Sequence, residues 1–319
     1  MIYTVTLNTA IDKIIHLEGT LTRKKNNKIN YHTYDIGGKA THVSVVLSTL
    51  NIPNIATGFV GMENKDKLYA MLEEKQVTCA FVEQANARTR ETLVLIDASG
   101  KGSYMITDTG FTINETSQKK LIRKLKEVVK ADDIVVFAGS PPKGLRLEGY
   151  LSIVNAVRGV GAKIVMDVNG YYLKHVIGLK PYVIKPNEDE FQELIGKSLD
   201  TLEEYKQEII NLLNLGIKYV FVSLGEKGSL IGHDKKIYKV TPPKVEEVND
   251  TGCGDVFVGG IVAGIYNELP IEGILRLATA LSASKASQKE SSSFSLEQTE
   301  QLKKEIKIEE LSIQGGLVN

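Results

Sequence analysis

Short apolar, β-branched runs alternate through the middle of the chain with longer stretches whose apolar residues recur every three or four positions. "DDIVVFAGS" (132–140), "AKIVMDVNG" (162–170), "PYVIKPN" (181–187) and "IKYVFVSLG" (217–225) read as buried strands ending in a small or polar residue. "SQKKLIRKLKEVVK" (117–130), "LEGYLSIVNAVRGVG" (147–161) and "LEEYKQEIINLLNLG" (202–216) read as amphipathic helices, the last two closing at glycine. Strand followed by helix, repeated, predicts an α/β fold: a mostly parallel sheet with helices on both faces. In such sheets ligands bind beyond the carboxyl ends of the strands, so Asp167, Lys185, Asn187 and Ser223 are site candidates by position.

Two stretches break this rhythm. Residues 12–36 and 88–107 alternate like hairpins around the polar turns "RKKNN" (23–27) and "ASGKG" (98–102), and flank a helical segment, "KATHVSVVLSTLN". They predict a small second sheet over the main body: a lid of residues 12–36 and 88–107 on a core of 1–11, 37–87 and 108–319. With exposed edges and one apolar face, such a sheet is suited to cover a site or pair with a partner. Near the end, "SSS" (291–293) reads as a loop before "SLEQTEQLKKEI", which opens with a Ser-x-x-Gln capping box.

Composition removes several function classes. The 319 residues carry 39 Lys plus Arg against 39 Asp plus Glu, a net charge of zero that argues against nucleic-acid or anionic-membrane partners. No charged leader with an apolar stretch opens the chain, and its apolar runs fall short of the ~18 residues of a membrane span, so a cytoplasmic protein is expected. The two cysteines, Cys79 and Cys253, and five histidines form no zinc-type spacing.

One stretch concentrates the chemistry: "NDTGCGDVFVGG" (249–260). A dinucleotide fingerprint would need a third glycine where Phe257 stands, and the only Gly-Lys-Ser, at 196–198, has Phe191 in place of the first Walker glycine. Two readings remain. Gly252, Cys253 and Gly254 can supply unpaired amides at the positive end of a helix, an anion hole for a transferring phosphoryl group, with Asp255 one turn in to take the proton of an attacking hydroxyl. Alternatively the stretch is an ordinary helix start with turn glycines and an acidic first turn.

Eight motifs, in order, resemble the PfkB (ribokinase-like) sugar kinases over roughly residues 2–305: "TVTLNTAID", "GGKATHVSVVL", "TR" at 89–90, "AGSPPKG", "MDVNG", "IKPNEDE", "VSLGEKGS" and "NDTGCGD". Within that family they are most similar to bacterial 1-phosphofructokinase and tagatose-6-phosphate kinase. The resemblance implies a three-layer α/β/α sandwich with a β-sheet lid, and an ATP- and Mg²⁺-dependent kinase of a ketohexose phosphate, with fructose 1-phosphate the first choice and tagatose 6-phosphate the second. It makes Asp255 the base and Gly252–Gly254 the anion hole. Lys185, Asn187, Ser223, Gly225, Gly228 and Thr251 fall on the nucleotide side, with Asn187 and Glu190 organising magnesium through water. Asp12, Gly37, Gly38 and His42 fall on the sugar, while Lys28, Lys39 and Arg90 would hold its phosphate. A homodimer through the lid is a family expectation.

Bland alternatives stand beside these assignments: Asn187 and Glu190 as a helix cap and first turn, Lys28 as a solvated lid residue, Asp12 as a strand end. The chain also departs from the pattern. The usual G-G-K-G-I-N is "GGKATH", placing Ala40 for glycine and His42 for asparagine; "GF" replaces Gly-Pro at 110–111, and Asn169 and Cys253 replace serine and alanine. His42 is expected to donate to a sugar hydroxyl or phosphate. Cys253 is either a filler of an alanine-sized slot or a thiol made reactive by the helix N-terminus. An unphosphorylated-sugar or nucleoside kinase and a non-catalytic sugar-phosphate sensor remain the rival functions.

Overall fold

The computed structural model describes residues 1–100 and 102–312, which leaves Lys101 of the "ASGKG" turn outside the described residues. The first half of the chain runs β1 (Ile2–Thr6), β2 (Ala10–Leu17), β3 (Ile29–Gly37), α1 (Lys39–Thr49), β4 (Asn54–Gly61), α2 (Lys65–Glu74), β5 (Thr78–Cys79), β6 (Val82–Gln84), β7 (Arg90–Ile96), β8 (Ser103–Thr107), α3 (Glu115–Val128) and β9 (Ile134–Ala138). It continues with α4 (Leu147–Arg158), β10 (Lys163–Asp167), α5 (Gly170–Val176), β11 (Val183–Ile184), α6 (Glu188–Ile195), α7 (Leu202–Asn214), β12 (Tyr219–Ser223), β13 (Ser229–His233), β14 (Lys236–Thr241), α8 (Cys253–Tyr266), α9 (Ile271–Ala286), α10 (Leu296–Leu302) and β15 (Lys307–Leu311).

The large sheet has the order β15-β14-β13-β12-β11-β10-β9-β1-β4-β5, with β6 also on β4. From β12 to β5 the pairings are parallel, and the β13, β14 and β15 edge is antiparallel. Three layers follow from the two-residue period of a strand. On β9, Val135 and Phe137 point into a core shared with α3 to α7, whereas Ile134, Val136 and Ala138 point into one shared with α1, α8, α9 and α10. Strand β12 divides the same way, Val220 and Val222 against Tyr219 and Phe221. These strands are apolar throughout because both faces are covered.

The predicted hairpins form a separate four-stranded sheet, β3-β2-β7-β8, whose central pair is parallel. Its base is buried through Ile11 and Ile36, which pack with α2 residues Leu68 and Leu72. Farther out it exposes Ile29, Tyr31, Tyr34, Tyr104, Met105 and Ile106.

Local side-chain caps form at half of the α-helix starts among the described residues. Thr201 and Asn187 each form a complete capping box. The box at Ser295 is only half made: Ser295 caps the Gln298 amide, but the Gln298 side chain accepts from the Ser284 hydroxyl on α9 instead of returning to Ser295. A tertiary donor has outcompeted the local one.

Helix α8 is buried almost all round, from Asp255 to Ile265. Its two central glycines explain how: a methyl on Gly259 would collide with Val46 of α1, and one on Gly260 would press on Ala278 of α9. The "VFVGG" run therefore buries α8 between two helices and the sheet, which fixes the position of its N-terminus.

Candidate active site

The strand-end residues converge as the topology requires. Asp167 ends β10, Lys185 follows β11, and Ser223 ends β12 beside Asn187, to which it is bridged. Asp167 is fully buried, with Lys185 Nζ 3.0 Å from Oδ1 and Lys39 Nζ 3.5 Å from Oδ2. Burial alone would raise the Asp167 pKa, but the two ammonium groups hold it below the usual carboxylate range. Asp167 in turn raises the Lys39 pKa, against the opposing effect of burial, and Asp255 and Glu190 add to the rise. Lys39 keeps 44% of its side chain exposed, so its cation is available at the mouth.

Beyond this triad lies the start of α8. Gly252 adopts a left-handed φ of 86°, and a Cβ there would collide with the Ser291 carbonyl oxygen, so only glycine makes this turn. At Gly254 a Cβ would find only Lys185 Nζ nearby, 3.9 Å away. The open space in front of Gly254 is thus faced by an ammonium. The amides are not equivalent. That of Cys253 is spent on the Asp250 carbonyl at 3.1 Å, whereas among the described residues no backbone acceptor meets those of Gly252, Gly254 and Asp255. An anion site here uses the amides flanking Cys253, a correction to the expectation that all three residues 252–254 contribute.

The reactive-thiol reading of Cys253 is also corrected. Burial pushes its pKa up to about 11, assisted by Asp250, Glu247 and Asp255 and opposed by Lys285, so the thiol stays protonated at neutral pH.

Asp255 is buried in the first turn of α8, and Oδ2 lies 2.6 Å from His42 Nδ1. His42 Nε2 lies 2.7 Å from the Ile36 carbonyl oxygen. Both ring nitrogens are taken by protein acceptors, so His42 has no free donor for a sugar, contrary to the role expected of it.

On the opposite wall, Asp12 of β2 is buried beneath Gly37, where a methyl would strike its carboxylate. Burial lifts the Asp12 pKa to about 6; His42, a bond from Thr92 and Arg90 restrain the rise, and Asp35 adds to it. Arg90 extends Nη1 to the Asp108 carbonyl at 3.2 Å and Nη2 to the Asn8 carbonyl at 3.4 Å, while its buried Nε meets no acceptor among the described residues. Asn8, Ser140, Lys143 and Tyr172 line a cavity with it. Lys28 is not brought in: it lies exposed just before β3, nine residues from Gly37, roughly 30 Å of extended strand away.

Among the residues expected on a nucleotide side, Gly228 turns at φ 97° where a Cβ would strike the Val240 carbonyl oxygen, and Gly225 at φ 59° faces open space. The Thr251 amide is bound to Asn249 Oδ1 at 3.0 Å, which shapes the loop before Gly252. Asn187 and Glu190 do cap α6: Asn187 Oδ1 accepts from the Glu190 amide at 2.8 Å, and Glu190 Oε2 from the Asn187 amide at 3.0 Å. Glu190 Oε1 receives no bond from the cap, so capping and metal organisation are compatible. No cluster of three metal-ligating side chains occurs among the described residues. This donor set suits a magnesium ion that keeps its water and is held mainly by phosphates.

Sequence reasoning missed Lys285. Its side chain, on α9, is completely buried, and Nζ donates to the carbonyls of Asn249 at 2.9 Å and Gln288 at 3.4 Å. It ties both loops that back Gly252. A single charged residue in the otherwise uncharged "ATALSASKAS" was the available signal.

Residues 5–299 match the model of the pfkB family carbohydrate kinases. The chain is 32% identical over 277 residues to 1-phosphofructokinase of Bacillus subtilis, covering 87% of this chain and 89% of that protein. It is 29% identical to a tagatose-6-phosphate kinase of Staphylococcus epidermidis over 314 residues, 98% of this chain and all of that protein. Phosphofructokinase-2 of Escherichia coli, solved with substrates and products, superposes with a TM-score of 0.90 at 23% identity over 95% of this chain and 98% of that one, a shared fold.

Lys285→Met should leave two part-buried carbonyls without their ammonium and cost about 1–3 kcal/mol. Urea unfolding should show a lower midpoint at unchanged slope, with faster hydrogen exchange in residues 248–254; an unchanged midpoint would mean the ammonium does not hold the loop.

Proposed function

The chain belongs to the pfkB family of carbohydrate kinases, and from this premise we propose that it transfers the γ-phosphoryl group of ATP to a free hydroxyl of a ketohexose phosphate, fructose 1-phosphate first. The observation that carries the proposal is the start of α8: amides without backbone acceptors, the Lys185 ammonium facing Gly254, and the Asp255 carboxylate in the same turn. Asp255 orients the hydroxyl and accepts its proton as the oxygen attacks phosphorus, and the amides beside Gly252 and Gly254 with Lys185 stabilise charge on the moving group. Lys39 adds positive charge at the mouth. Bound magnesium would neutralise the nucleotide phosphates, with Asn187 and Glu190 holding its water shell.

Acceptor recognition is assigned to Asp12, which accepts from sugar hydroxyls, and to Arg90, which lines the cavity with Asn8, Ser140, Lys143 and Tyr172 and keeps fork N–H groups beyond those given to Asp108 and Asn8 that suit a phosphate. Ser223, Gly225, Gly228 and Thr251 are assigned to the nucleotide. The small sheet is assigned the role of lid, residues 12–36 and 88–107 closing on the rest of the chain to exclude water. Its exposed Tyr31, Tyr34, Tyr104, Met105 and Ile106 suit a second copy of the chain. No helix among the described residues is long and apolar enough to cross a membrane, and a cytoplasmic enzyme is the matching expectation. Tagatose 6-phosphate is the second reading, favoured by the end-to-end match to the staphylococcal relative.

ADP release should be fastest with fructose 1-phosphate in a panel with tagatose 6-phosphate, fructose 6-phosphate, ribose and adenosine. Asp255→Asn should lower kcat by roughly 10²–10⁴-fold with ATP affinity retained; a fully active variant removes Asp255 from the role, and turnover of ribose or adenosine alone overturns the substrate class.

Arg90→Ala should raise KM for the sugar phosphate by about 10–100-fold, the loss of one or two charge-assisted bonds, and leave KM for ATP unchanged. Equal damage to both constants would refute the phosphate assignment.

Asp12 supplies the pH dependence. With its pKa raised to about 6 it becomes a carboxylate as pH rises through that value, so sugar KM should fall between pH 5 and 7. Asp12→Asn should flatten this profile; a profile identical to the parent's would exclude Asp12.

A further inference from the structure

His42 lies where β2, β3 and α8 meet, 5% exposed. The Ile36 carbonyl can only accept, so Nε2 carries a proton. Nδ1 faces the Asp255 carboxylate at 2.6 Å, and the Asp12 carboxyl adds its charge from β2. Strand β3 makes a second contact with the anion loop: Asp35 Oδ2 accepts from the Ser291 amide at 3.3 Å, and the Ser291 carbonyl backs Gly252.

We propose that His42 is a standing imidazolium and a positioning residue, which ties one oxygen of Asp255 to strand β3 of the small sheet and leaves Oδ1 alone to take the acceptor's proton. This rests on the reading of Asp255 as the base. In the transfer the hydroxyl proton passes to Oδ1, the oxygen's electron pair forms the new P–O bond, the bond to the ADP oxygen breaks, and His42 keeps both of its protons. The ion pair also cancels the Asp255 charge toward the incoming polyanions, and Oδ2, occupied by Nδ1, no longer competes for the proton. Because the other end of the ring is held by the Ile36 carbonyl, correct seating of β3 becomes a condition of correct placement of the base. An asparagine at this position would have to make both bonds through one amide nitrogen, since its carbonyl oxygen cannot donate.

Burial alone would lower the His42 pKa, but the bond to Asp255, the charges of Asp255 and Asp12 and the Ile36 carbonyl raise it to about 9. The link is therefore present below that pH and lost as pH rises through it.

Nitrogen-15 spectra of the histidine-labelled protein test the charge directly. Of five histidines, the resonance missing in His42→Asn should show both ring nitrogens protonated at pH 8, and in Asp255→Asn it should become that of a neutral ring. In kinetics, His42→Asn should lower kcat about 10–100-fold, the scale of a displaced catalytic group, with KM for ATP little changed, and should lack the decline in kcat that the parent shows from pH 8 to 10. A neutral His42 ring at pH 8 in the parent overturns the proposal whether or not the variant folds. A folded His42→Asn protein that keeps both kcat and the alkaline decline overturns it while an inactive Asp255→Asn protein leaves the base assignment standing. An active Asp255→Asn protein removes that assignment instead.

Discussion

The site depends on a buried carboxylate held between two ammonium groups. Asp167 at the end of β10 is the shared counter-ion of Lys185, which follows the neighbouring strand, and Lys39, which opens α1. A buried ion is costly unless paired, and removing one partner of such a pair typically costs about 3–5 kcal/mol, so the three residues specify one another's positions. The triad carries one net positive charge and directs it outward. One ammonium faces Gly254 and the other stays half exposed at the mouth. Adjacent strand ends place these groups side by side, which is the physical content of binding at the carboxyl edge of a parallel sheet.

The second requirement is that α8 begin at the right place. Packing supplies it from behind: Gly259 and Gly260 let α1 and α9 approach, Lys285 holds the loops that precede and back Gly252, and the Ser291 carbonyl leaves room there only for glycine. The helix start is therefore rigid where it is buried and open where its amides point. Under the proposed function, such a helix start would need no reorganisation when charge develops in front of it.

The small sheet enters this arrangement through its base. Asp12, Ile36, Gly37 and Arg90 lie at the ends of β2, β3 and β7 nearest the core, so one wall of the site and the anchor of the His42 ring both belong to that sheet. Its outer strands contribute exposed apolar side chains. The sheet thus divides into a buried end that shapes the site and a free end that can meet another surface.

Much of this was legible in the chain. Two-residue alternation and three-to-four-residue spacing are local properties, so the three layers, the second sheet and helices α1, α3, α4 and α7 followed from the pattern to within a few residues, whereas α2, α5 and α9 were not read. Asp255, the glycines and the strand-end Lys185, Asn187 and Ser223 were legible because chemistry of that kind needs particular residue types at particular ends of elements. Three features were not. The spent amide of Cys253 and its raised pKa come from how the loop folds back on Asp250 and from burial. The remoteness of Lys28 comes from the length of β3. Lys285 lies far along the chain from the Asn249 carbonyl, and His42 from the Asp255 carboxylate. Periodicity reports what a residue does to its own element, but a hydrogen bond between residues 42 and 255 exists only once two helices and a strand are packed. The sequence by itself determined the architecture and offered most of the candidate site's residue types; the tertiary structure alone decided which of them meet, added Lys285 and left Lys28 outside, because those pairings depend on distances that no local pattern encodes.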